Sequence, residues 1–89
     1  MLKFSTTKKF DKQLRRLDEK IQNIFTEKLE YFLENPKYSS LNTEKLQSNL
    51  YSFRVTKNFR VIFKYQETKE VLLIFIAKHD IYKKIKDLI

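Results

Sequence analysis

The stretch LYSFRVTKNFRVIFKYQETKEVLLIFIA, residues 50–77, decides the fold. Tyr51, Phe53 and Val55 alternate with polar residues, and after a break at Thr56-Lys57-Asn58 the alternation resumes at Phe59, Val61, Phe63 and Tyr65. A period of two in both halves is the pattern of half-buried strands, and so short a break between them makes a hairpin. Asn58 is suited to the left-handed position that three-residue loops need. A turn over Gln66 to Glu70 leads on to Val71 to Ala77, which is apolar on both faces and so suits a central strand.

With both alternating sets facing the core, the opposite face carries Ser52 and Arg54 on the first strand and Arg60, Ile62 and Lys64 on the second. Pairing Val55 with Phe59 and Phe53 with Val61 sets Arg54 directly across from Arg60. Like charges so placed have Cβ atoms roughly 4.5–5.5 Å apart and cost about a few tenths of a kcal/mol. Two arrangements relieve that cost. An anion such as a phosphate can sit between the planar guanidinium groups, or the arginines can splay toward Glu44, Glu67 or Asp80.

Upstream, Leu2 to Phe4 is a short strand candidate, and Ser5, Thr6 or Thr7 can cap the helix that follows. Phe10, Leu14 and Leu17 recur at helical spacing. A second series, Ile21, Ile24, Phe25, Leu29, Phe32 and Leu33, stops at Asn35-Pro36. Two helices meeting near Leu17 to Glu19 form a hairpin whose stripes cover one face of the sheet. Residues 37–47 show no sustained period and read as a loop closed by Glu44-Lys45-Leu46. Leu72, Ile74 and Ile76 then need cover from the chain's last residues or from a partner. Tyr82 to Ile89 reads as a short basic helix. No repeat, linker or second domain interrupts the 89 residues, so residues 1–89 are expected to form one domain.

Composition excludes several classes of function. Cysteine is absent and histidine occurs once, which argues against a structural zinc. Glycine is absent as well, which excludes the Gly-rich phosphate loop and the dinucleotide fingerprint. No cofactor or metal is expected. No apolar run approaches 18 residues and no leader pattern opens the chain, so a cytoplasmic protein is expected. The formal charge of +8 calls for an anionic partner. Nucleic acid fits better than a membrane surface, because the helices need their apolar stripes for the core.

The residues with chemistry to offer are Glu44 in the loop, Arg54 and Arg60 on the hairpin, and Lys78, His79 and Tyr82 after the last strand. A histidine exchanges protons near neutrality and a carboxylate accepts one. A tyrosine hydroxyl orients or assists, and two arginines hold a phosphate as its charge grows. Together they suit cleavage of a phosphodiester by the RNA's own 2′-hydroxyl, which needs no metal.

Leu50-Tyr51-Ser52-Phe53-Arg54-Val55, Phe59-Arg60-Val61-Ile62-Phe63 and Ala77-Lys78-His79-Asp80-Ile81-Tyr82 resemble the RelE/ParE superfamily of toxin–antitoxin toxins, in particular its messenger-RNA-cleaving branch. The similarity extends over nearly the whole chain, including the helical hairpin ending in Glu34-Asn35-Pro36. It implies an α+β fold, with a small, mainly antiparallel sheet and the helical hairpin on one face. It also implies a ribosome-dependent endoribonuclease that cuts mRNA in the decoding site. Carried over by position, Arg60 is similar to the family's phosphate-stabilising arginine and Arg54 to a neighbouring cation. His79 is similar to the acid or base, Tyr82 to the C-terminal aromatic, and Glu44 to the carboxylate base of one subgroup. Lys45, Lys57, Lys78 and Lys83 are the further cations expected on RNA. Ser52 stands where some relatives carry a second lysine, and the glycine that usually precedes the hairpin is missing.

The resemblance further implies a cognate acidic antitoxin, with a segment over Leu72, Ile74 and Ile76, and hetero-oligomers with it. Ribosome and mRNA are the other expected partners. The rival expectation is a ParE-like toxin that poisons DNA gyrase without chemistry. A basic nucleic-acid-binding module is a third.

Overall fold

The computed structural model describes residues 1–47 and 49–78. His79, Asp80, Tyr82, Lys83 and the expected C-terminal helix lie outside the described residues. The chain runs β1 (Lys3–Thr6), α1 (Lys8–Arg15), α2 (Glu19–Glu34), a 3-10 turn at Ser39–Leu41, β2 (Glu44–Gln47), β3 (Leu50–Arg54), β4 (Phe59–Glu67) and β5 (Glu70–Lys78). Five strands form one sheet in the order β1-β5-β4-β3-β2, antiparallel except for the β1–β5 pair. The fold is α+β, with the two helices on one face. Among the described residues no helix is long and apolar enough to cross a membrane.

Local chemistry accounts for the helix boundaries. Thr7 caps α1, its hydroxyl oxygen accepting the Phe10 amide, and Asp18 caps α2 through the Lys20 amide. α2 stops at Asn35, one residue before Pro36, where helical backbone is disfavoured. The helical stripes then meet the sheet. Phe32 is fully buried, stacked on Phe53 with ring centroids 4.4 Å apart and edge-on to Phe63 at 4.7 Å. Phe10 meets Phe25, and Leu29, Leu41, Val55, Val61, Val71 and Leu73 fill the space around them.

The hairpin pairs Arg54 with Arg60 and Phe53 with Val61, the register that the alternation predicts. Its turn is built differently from the expectation. Thr56 organises it: its hydroxyl oxygen accepts from the Asn58 and Phe59 amides, and its carbonyl accepts from Phe59. Asn58 does not take the left-handed conformation. Among the described residues the positive φ falls at Asn42, at 43°.

Two further expectations need correction. The segment expected to be a loop contains the 3-10 turn and a fifth strand, β2, at the sheet edge. Four residues with one bulge are too few to display a period. The faces of β5 also differ from a simple alternation. Ile62 lies opposite Phe75 but Phe63 lies opposite Leu73, so Ile74 is the extra residue of a bulge. Ile76 therefore turns into the core at 3% exposure, and the face opposite the helices carries Leu72, Phe75 and Ala77 instead of Leu72, Ile74 and Ile76. Beyond the end of β1, α1 guards the bulged edge. Thr7 Oγ1 donates to the Ile74 carbonyl at 2.9 Å, and the Ile76 amide donates to Gln13 Oε1 at 3.0 Å.

Candidate functional site

The face turned away from the helices gathers three of the expected site residues. Arg54 and Arg60 face each other across the β3–β4 ladder. Glu44 pairs with Ser52 across the β2–β3 ladder, so its side chain shares the face of Ser52, Arg54 and Arg60. A strand that is invisible as a pattern in the sequence thus carries the carboxylate to the arginines.

Arg60 is held by a clamp that pattern reading does not reveal. Its Nε–H donates to Ser52 Oγ at 3.1 Å, and its Nη2 donates to the same oxygen at 3.0 Å and to the Asn42 carbonyl at 2.6 Å. Ser52 is fully buried, so its oxygen is a fixed point. The Asn42 carbonyl is aimed by the left-handed turn that ends the 3-10 segment. In a glycine-free chain, asparagine is the residue that enters that region at least cost. The Thr43 hydroxyl, donating to the Pro36 carbonyl, ties the same loop together.

The clamp also explains how the sheet tolerates Arg54 opposite Arg60. Ser52 is diagonal to Arg60 on the facing strand, so the guanidinium is drawn along the strand and off the direct line to Arg54. Arg54 itself is exposed and Arg60 half-buried. Beside them lies a small apolar floor of Ile62 on β4 and Ala77 on β5, both buried. Phe75, further along, lies beneath the Lys9 ammonium, 4.9 Å from the ring centroid.

The expected RNA-binding lysines are spread more widely. Lys57 is exposed in the hairpin turn, at the arginine end of the ladder. Lys45 pairs with Tyr51 and so points to the helix side of the β2 edge. Lys78 pairs with Phe59 and lines a cavity of about 480 Å³ with Arg16, Leu17 and Ile21, again on the helix side. The structure therefore brings together Glu44, Arg54 and Arg60 and separates Lys45 and Lys78 from them. His79, Tyr82 and Lys83 lie outside the described residues.

Asn42 is missed by sequence reasoning, and Ser52, which alternation places on this face, is given no part in holding Arg60. One signal is present for Ser52: a lone small polar residue between Tyr51 and Phe53 in a strand of large side chains. Asn42 has no comparable mark.

Comparison with known proteins identifies the family and the fold. Residues 4–81 match the family model described as the ParE toxin of the type II toxin–antitoxin system, parDE. No curated protein matches the chain in sequence. Among solved structures, the YoeB/ParE toxin from Agrobacterium tumefaciens superposes with a TM-score of 0.74 at 15% identity, over 88% of this chain and 99% of that one. The archaeal RelE–RelB complex from Pyrococcus horikoshii gives 0.74 at 19% identity, over 86% of this chain and 93% of the other. YafQ from E. coli gives 0.73 at 13% identity, over 92% and 98%.

Proposed function

We propose that this chain, which belongs to the ParE toxin family of type II toxin–antitoxin systems, is a ribosome-dependent endoribonuclease that cuts mRNA in the decoding site. The observation that carries this reading is the convergence of Glu44, Arg54 and the clamped Arg60 on one face of the sheet. A toxin acting only by binding another protein has no need of a guanidinium held at three points beside a carboxylate.

The chemistry follows from the groups. The 2′-hydroxyl oxygen of the RNA attacks the adjacent phosphorus, the bond to the 5′-oxygen breaks, and a cyclic phosphate and a 5′-hydroxyl result. One group takes the 2′-hydroxyl proton and another protonates the leaving oxygen. Arg54 and Arg60 stabilise the charge that grows on the phosphate oxygens between those events. Glu44 as base with His79 as acid is one assignment. His79 as base, with Tyr82 or a ribosomal group as acid, is the other. His79→Gln slows either strongly. The pH dependence of single-turnover cleavage separates them, falling with rising pH through the imidazole pKa if His79 is the acid and climbing if it is the base.

The RelB-bound state of the archaeal relative supports a cognate antitoxin for this chain too. The experiment that tests the activity is expression from a tightly controlled promoter followed by mapping of mRNA 5′ ends. Cuts within translated codons are expected. Intact transcripts with DNA damage would instead establish gyrase poisoning, the rival activity that a resemblance to ParE implies.

A further inference from the structure

At the β2 edge, on the other side of Glu44 from the arginines, lies a cavity of about 530 Å³ that no catalytic step uses. That volume is within the roughly 300–1,000 Å³ of small-ligand pockets. Three tyrosines form its walls. Tyr51 is anchored, stacked on the core residue Phe63 with centroids 5.7 Å apart, and it meets Tyr65 edge-on at 5.3 Å. Tyr38 comes from the loop and is backed by Tyr31, at 5.2 Å and 26° between ring planes. Tyr38 remains 45% exposed and Tyr65 36%, so their rings are accessible. Lys37 and Lys45 stand on the rim and are exposed.

Two residues join this cavity to the arginine face. Asn42 lines it while its carbonyl holds Arg60. Glu44 lines it while its strand position sets it on the face of Arg54 and Arg60. A chain bound at the arginines and running over the β2 edge would enter the cavity next.

We propose that this cavity is a subsite for one nucleotide of single-stranded RNA, adjoining the phosphate held by Arg54 and Arg60. A base stacks on the tyrosine rings and its phosphate meets Lys37 or Lys45. Aromatic faces bordered by cations are the means by which proteins hold single strands with little sequence preference. Burial, and then the neighbouring Tyr51, raise the pKa of the Tyr65 hydroxyl, so it stays protonated and able to donate to a base edge. The inference rests on the reading of this protein as an RNA-cleaving toxin.

The test uses the full-length protein and a fluorescein-labelled, fully 2′-O-methylated oligoribonucleotide, which binds but is not cut, read by anisotropy. Tyr38→Ala is expected to weaken binding by about 5- to 150-fold, the loss of one base stack, while Tyr38→Phe keeps the ring and the affinity. Lys45→Ala should weaken binding and lower the slope of log affinity against log salt by about 0.7. Lys69→Ala removes the same charge from the β4–β5 turn, which borders a separate cavity, and should leave affinity near the parent value. A parent that does not bind, or a Tyr38→Ala variant that binds like the parent, overturns the proposal. So does polyglutamate binding that depends on Lys45 and not on Tyr38, which would mark a surface for an acidic protein. Because the probe is uncleavable, the readout is independent of the nuclease reading. Tyr38-dependent binding with messages left uncut in cells keeps the nucleotide site and removes the nuclease, and cut messages with Tyr38-independent binding do the reverse.

Discussion

Arg60 owes its usefulness to where its guanidinium is held, so the residue to compare it with is Ser52. Arg60→Ala should reduce cleavage by roughly 10²–10³-fold, the scale of losing one preorganised donor at a developing oxyanion. Arg60→Lys should recover little, because an ammonium offers neither the planar fork nor the two-point contact with Ser52. Ser52→Ala removes one oxygen atom and leaves two guanidinium donations without their acceptor. It should lower kcat more than it raises KM, and it should add nothing in a chain that already carries Arg60→Ala. Single-turnover assays of the three variants and the double variant measure that coupling. Additive losses would mean that Ser52 acts on the fold and not through Arg60. One half of this arrangement is legible in the sequence. Alternation places Arg54 opposite Arg60, but a hydroxyl diagonal to a guanidinium depends on rotamers, which no pattern encodes.

At the scale of elements, the readable parts are those long enough to show a period. α2 and β4 repeat their spacing over 16 and nine residues and are visible, whereas β2 has four residues and a bulge. The β5 bulge is invisible for a different reason. Alternation cannot be judged in Leu72-Leu73-Ile74-Phe75-Ile76, where every residue is apolar and only the pairing with β4 decides which side chain turns inward. That pairing is protected by α1, and Thr7 carries both duties, capping the helix and donating to the Ile74 carbonyl. Thr7→Ala should therefore destabilise by about 1–3 kcal/mol, an N-cap together with a tertiary hydrogen bond. Thr7→Ser should restore most of that loss. Urea unfolding of both variants gives the answer, and a Thr7→Ala protein as stable as the parent would show that the bulged edge does not need its cap. In the core, Phe32→Ala should cost about 3–5 kcal/mol, since the ring is fully buried between Phe53 and Phe63.

Across the whole molecule, 19 Lys and Arg against 11 Asp and Glu give the formal charge of +8, and this excess acts in opposite directions on folding and on binding. Self-repulsion destabilises the folded chain, so salt should stabilise it. Raising ionic strength from 0.01 to 0.15 M shortens the screening length from about 30 to about 8 Å. The urea midpoint should rise over that range. Arg54→Gln should reproduce part of the gain at low salt, about a few tenths of a kcal/mol, because it removes one of two like charges facing each other across a ladder. RNA binding should respond the other way. Two phosphates, one held by Arg54 and Arg60 and one met by Lys37 or Lys45, give a slope near −1.4 in log affinity against log salt, so the same 15-fold rise in salt lowers affinity by about 45-fold. Arg54→Gln should weaken that binding and flatten its slope while leaving the fold as stable as the parent or more so. If Arg54→Gln instead lowers the urea midpoint, and salt lowers it in the parent, then Arg54 is held in an attractive ion pair that the fold requires. Its place on the RNA-facing surface would then be a matter of stability and not of substrate.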